Sequence, residues 1–130
     1  MPYQATTPTS SQVGILHVGS TPLQVQQAAV SITSSGTIVA APPAGYKIAL
    51  VQLFLVASAA VTVVNLQSHT TTGIATGGVS LPAAGSQLVL PFSPATWLTC
   101  VPGEALDLEF TGTATLAGSV NYVIMPATPF

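Results

Sequence analysis

The densest chemistry in the chain is three carboxylates within six residues: Glu104, Asp107 and Glu109. On an extended strand Asp107 and Glu109 share a face about 7 Å apart, since each residue rises about 3.4 Å. That separation suits the acid pair of a glycoside hydrolase. Such a pair also needs a cleft and one raised pKa, whereas these acids alternate with Leu106, Leu108 and Phe110. The alternation turns the apolar side chains inward and the acids to solvent, where charge discourages stray pairing of a sheet edge. His17 and His69 have no second His, Cys or carboxylate at metal-ligand spacing, and they fall on different segments. No metal or cofactor is expected. Cys100, the single cysteine, cannot form an internal disulfide, and within Trp97-Leu98-Thr99-Cys100-Val101 it reads as a small buried hydrophobe. Serine and threonine are abundant, but no Gly-x-Ser-x-Gly elbow occurs. The run Gly73 to Gly78 (GIATGG) lacks the lysine and following helix of a phosphate loop. Trp97 beside Cys100 reads as core, and its alternative use is as a stacking platform for a sugar. The sequence therefore predicts a protein that is not an enzyme.

At 130 residues the chain is one domain's worth, long enough to bury a core without staples. Its fixed charges are Lys47, Glu104, Asp107 and Glu109, 3% of residues, against roughly 25% in an ordinary soluble domain. A freestanding monomer generally carries a mixed-sign charged surface; here Thr, Ser, Gln, Asn, Gly and Ala must replace it. Little in such a surface opposes close association, so much of it is expected to face other chains. One basic residue gives no grip on phosphates, which argues against nucleic acid and anionic lipid as partners. The apolar stretch Ile48 to Val64 has 17 residues, the lower bound for a spanning helix, and Gln52, Ser58 and Thr62 interrupt it. Two strands meeting at Ala57-Ser58-Ala59-Ala60 fit it better. The N-terminus lacks the basic and apolar regions of a secretory signal. No membrane partner is expected.

Eleven prolines and eleven glycines cut the chain into short segments of β character. Residues 1–12 (MPYQATTPTSSQ) are polar, Pro-containing and aperiodic. They read as an extended arm, with Pro2 and Tyr3 as its anchors if it orders against a neighbouring subunit. Residues 13–130 read as a single β-sandwich domain. Strands are expected at Val13–Val18, Leu23–Ile32 with a phase shift near Ala28-Ala29, Thr37–Ala40, Tyr46–Val56, Ala60–Ser68, Val79–Leu81, Gln87–Leu90, Trp97–Val101, Ala105–Phe110 and Leu116–Met125. The segment Tyr46–Val56 is apolar on both faces: Ile48, Leu50 and Phe54 on one, Lys47, Ala49, Val51, Leu53 and Leu55 on the other. A sandwich strand covers one face with core, so the second is expected to meet a partner subunit. Lys47, Val51, Leu53 and Leu55 are the interface residues this predicts. With no helical periodicity, the fold class is all-β: an antiparallel sandwich, jelly-roll-like, with an N-terminal arm.

Two stretches carry a resemblance. One is Ala41-Pro42-Pro43-Ala44-Gly45-Tyr46-Lys47-Ile48 with its apolar continuation and Asn65-Leu66-Gln67-Ser68. The other is Leu90-Pro91-Phe92-Ser93-Pro94-Ala95-Thr96-Trp97 running into Pro102-Gly103-Glu104-Ala105-Leu106-Asp107-Leu108, and Gly118-Ser119-Val120-Asn121-Tyr122 follows near the end. In this order they resemble small structural proteins of tailed bacteriophages, over roughly residues 40 to 125, with His69 a departure where the loop usually continues with Gly. The resemblance implies a virion component: a homotrimeric decoration or cement protein on the head surface, bridging copies of the major capsid protein. Residues 69–86 and 91–96 would contact the shell or face outward. The alternative it leaves open is a tail, fibre or neck component, with a host-surface role. A fold alone does not assign either.

Overall fold

Short β-branched and aliphatic runs between Pro/Gly turns can hide their apolar side chains only by stacking sheet on sheet, and that is the arrangement found. A computed structural model describes residues 15–18 and 21–127. Among these there is no helix, and two antiparallel sheets pack face to face. The strands are β1 (Ile15–Val18), β2 (Thr21–Gln24), β3 (Gln26–Ile32), β4 (Gly36–Val39), β5 (Tyr46–Ala57), β6 (Val61–Ser68), β7 (Val79–Leu81), β8 (Gln87–Leu90), β9 (Leu98–Thr99), β10 (Leu106–Phe110) and β11 (Leu116–Pro126). One sheet runs β3-β11-β5-β8, with β9 also on β5; the other runs β4-β10-β6-β7; β1 and β2 form a separate hairpin. Successive strands cross between the sheets in the order of a jelly roll, as expected. Ile48–Val64 is two strands and the turn between them.

The strand read as apolar on both faces has a local explanation. Along β11, Asn121 stands opposite Gln52 but Tyr122 stands opposite Leu50, so Val51 is an extra residue, a β-bulge. The bulge shifts the phase. Ile48 and Leu50 before it, and Leu53, Leu55 and Ala57 after it, all enter the same core. Leu53 and Leu55 are therefore not on an outward face with Lys47, which corrects that part of the expected interface. Val51 is fully buried, and its carbonyl accepts a hydrogen bond from Ser93 N at 2.9 Å. A second correction concerns the N-terminal strand. Its phase break falls at Val25, between β2 and β3, and not near Ala28-Ala29, which sit inside β3.

The facing sheet supplies Val64, Leu66, Leu106, Leu108 and Phe110, the last three pointing inward as the alternation of β10 requires. Gly118 marks the closest backbone approach. A Cβ there would run into the Phe54 carbonyl, so any other residue would push β11 off β5. At the end of the sandwich, the turn before β8 closes with Gly85 at φ 86°, and both Gly85 N and Ser86 O bond to Ala57, at 2.8 and 2.9 Å. This is a glycine bulge following a tight turn, and it sets the register of β8.

Candidate functional site

Polar chemistry concentrates at one end of the four-stranded sheet. Glu104, just before β10, reaches under the loop that leaves β6. Its Oε1 accepts from Ser68 Oγ at 2.6 Å and from the backbone N–H groups of Thr70 and Thr71, both at 3.1 Å. Its Oε2 accepts from the hydroxyls of Thr70 (2.6 Å) and Thr71 (2.9 Å). Donation from Ser68 and Thr70, then Thr71, stabilises the carboxylate and holds its pKa at about 2, below the ordinary 4.5. Ser68 Oγ in turn accepts from Val101 N at 3.0 Å.

Asp107 lies beside this network on β10, opposite Thr37 of β4 and Gln67 of β6. Alternation predicts it in solvent. Instead it is 5% exposed: Thr37 Oγ1 donates to one oxygen at 2.8 Å and the His69 ring covers the other at 2.7 Å. The reason is tertiary, because His69 folds back from the end of β6 over the outer face of β10. Glu109, two residues on, stays half-exposed, so the two acids differ in environment and do not flank a cleft as a pair.

The arrangement has the residue types of a hydrolytic triad without its geometry. Ser68 ends β6 and His69 opens the bend after it, and the two side chains engage different acids, Glu104 and Asp107. The Ser68 hydroxyl is spent on Glu104. Cys100 is buried, and its thiol is pushed up to about 11, chiefly by desolvation; the Ser68 hydroxyl opposes this, and Glu104 and Asp107 reinforce it. A thiol held there is almost wholly protonated at neutral pH and is a poor nucleophile. Among the described residues no group of three or more His, Cys, Asp or Glu is placed to hold a metal ion. What these bonds accomplish is mechanical. They tie residues 68 to 71 to the start of β10, and the Gln67–Ala75 bridge and Thr76 Oγ1 on Leu66 N at 2.9 Å fasten the rest of the loop to β6.

The apolar features lie at the edge of the sandwich where β7 and β8 end their sheets. Between them opens a cavity of about 410 Å³, lined by Val64 and Leu66 from one sheet, Leu88 and Leu90 from the other, and Val79 and Trp97 at the rim. Trp97 is 42% exposed, which corrects its expected place in the core; its indole N–H donates to Pro91 O at 2.7 Å. The preceding Thr96 takes φ 65°, unusual for a β-branched residue, and Trp97 N bonds to Leu50 O at 2.8 Å. On the outer face of the same sheet Phe54 stands directly opposite Val89, and both are exposed, Val89 at 54%.

Of the interface residues named from the sequence, Pro2 and Tyr3 lie outside the described residues, as does the whole 1–12 arm. Lys47 is half-buried on β5, opposite Met125 of β11. Val51 is the bulge residue, and Leu53 and Leu55 belong to the core. The exposed large apolar residues on that sheet include Tyr46 at the start of β5, Phe54 and Val89. Val89 falls in the uncharged run Gln87–Leu90, but its place opposite Phe54 is set by the strand register and leaves no mark in the sequence. An antiparallel jelly-roll sandwich with a tethered loop and an uncharged apolar edge is the class of protein these features define. Comparison with protein families, with curated proteins and with solved structures finds no match.

Proposed function

We propose that this chain is a non-enzymatic structural protein of a virus particle, a decoration or cement protein that stabilises a tailed-phage head by bridging capsid subunits. In this reading its partners are other copies of itself, as a homotrimer, and the major capsid protein, and its place is the head surface. The observation that carries the reading is the scarcity of ionic surface. Of four fixed charges, Glu104 and Asp107 are engaged by their own chain, which leaves Lys47 and Glu109 for the exterior. Phe54, Val89, Phe92, Trp97 and Tyr46 are exposed large apolar side chains on the same molecule. A surface of this kind adheres by apolar and hydrogen-bonded contact and does not depend on charge.

A tail, fibre or neck component is the second reading, and exposed Trp97 beside an open cavity is the observation that favours it. Counting copies in purified particles separates the two. Copy number in proportion to the capsid subunits supports decoration; a small number fixed by the tail's symmetry supports the second; absence from particles removes both. Deletion of residues 2–12 is expected to weaken attachment to heads while leaving the β-sheet circular dichroism unchanged.

A further inference from the structure

We infer that the free edge of β8 is a self-association edge, on which β8 of a second copy adds antiparallel about a two-fold axis through Leu88. The argument starts from where the backbone groups of β8 point. Ala57 N donates to Ser86 O, which makes Ala57 and Ser86 a hydrogen-bonded pair. In an antiparallel ladder such pairs alternate with non-bonded ones. Leu88 and Leu90, opposite Leu55 and Leu53, therefore turn their N–H and C=O groups toward β5. Gln87 and Val89 turn theirs outward, and among the described residues no strand pairs with β8 on that side.

An open ladder of this kind specifies its occupant. N–H and C=O groups in strand spacing are completed by another extended peptide. Of the usual protections of an edge, β8 is short and is closed off by Pro91, but within its four residues it has no charge, no proline and no bulge. Val89 on its outer face is the most exposed large hydrophobic among the described residues.

A second copy fits this edge by symmetry. With the axis through Leu88, Gln87 of each copy pairs with Val89 of the other, and every outward N–H and C=O of β8 finds a partner. The two Leu88 side chains then meet over the apolar cavities, and each Val89 is covered by the stem of a Gln87. Moving the axis to Val89 would set Gln87 opposite Pro91, which has no N–H to give. The charge pattern is permissive as well, because Lys47, Glu104, Asp107 and Glu109 all lie on β5 or β10 or next to them and none is on β7 or β8. The pairing joins two five-stranded sheets into one continuous sheet. It needs only two copies, so it stands whether or not the particle reading does.

The test uses the full chain. Val89→Pro removes only an outward N–H and leaves pairing with β5 intact, so circular dichroism and the melting transition should be nearly unchanged. Sedimentation should show the dissociation constant of one association step rising about thirtyfold, as two donors are lost per pair. Under mild oxidation Leu88→Cys should form an intermolecular disulfide, since non-bonded antiparallel pairs bring Cβ atoms within about 5.5 Å. Val89→Cys should not. The pairing is overturned if Val89→Pro folds and associates as the parent does, or if the parent shows no association and Leu88→Cys does not link. Linking by Val89→Cys in place of Leu88→Cys would overturn the axis. If Val89→Pro fails to fold, the two cysteine variants decide by themselves.

Discussion

Glu104 shows how one side chain can hold a loop. Its carboxylate collects donors from Ser68, Thr70 and Thr71, more than thirty positions earlier in the chain. Because its folded pKa is depressed to about 2, its contribution to stability is fully present above the unfolded value of about 4.5. It is lost as pH falls from 4.5 toward 2. Melting temperature followed from pH 6 to pH 2 should therefore fall through that window, and Glu104→Gln should lower the neutral plateau and flatten the acid limb. An acid limb as steep in the variant as in the parent would show that the carboxylate does not supply this term. Asp107 is the more deeply covered of the two. Neither role is visible locally. Period-two alternation assigns Asp107 correctly to the outer face of β10, but its cover comes from β4 and from His69, elements remote in sequence. Glu104 follows a Pro-Gly turn and reads as loop; only the hydroxyl-rich run Ser68-His69-Thr70-Thr71 hints at a group that would satisfy an acid.

The element that decides the packing is β5, and its bulge separates what the sequence can say from what it cannot. Two neighbours on this strand now have opposite expectations. Leu53 sits in the core, so Leu53→Ala should cost about 3 kcal/mol in chemical denaturation. Phe54 is on the outer face and well exposed, so Phe54→Ala should cost less than about 1 kcal/mol. Equal losses at both positions would mean that the outer face is packed within the monomer. The strand, its length and its apolar character were all legible from Tyr46 to Val56, because Pro43 and Gly45 precede it, the small residues Ala57-Ser58-Ala59-Ala60 follow it and β-formers fill it. The face of each residue after Val51 was not. Where residues on both faces are aliphatic the alternation carries no phase, and one extra residue changes the assignment without leaving a mark. The clean alternation of β10 gave the right faces for Leu106, Leu108 and Phe110. The break at Val25 escaped for the same reason as the bulge: Leu23, Val25, Ala28, Ala29 and Val30 supply apolar residues in either phase.

At the scale of the whole molecule, fold class was the most readable property. Turn residues at short intervals, no helical period and many short β segments leave few alternatives to a sandwich, and the strand order is that of a jelly roll. Which edges are left open was much harder to read, because it depends on which strand ends each sheet. The network around Glu104 and Asp107 bears on this scale too. It takes half of the chain's fixed charges out of circulation at one end of the sandwich. What remains outside offers dissolved ions almost nothing to screen. Raising sodium chloride from about 0.05 to 1 M should change self-association by less than about twofold, measured by sedimentation. A tenfold loss would point to ion pairing in the contact. Sulfate should tighten it. The proposed association should hold alike in brine and in nearly pure water, and a mild detergent, not salt, is the reagent that should strip it away.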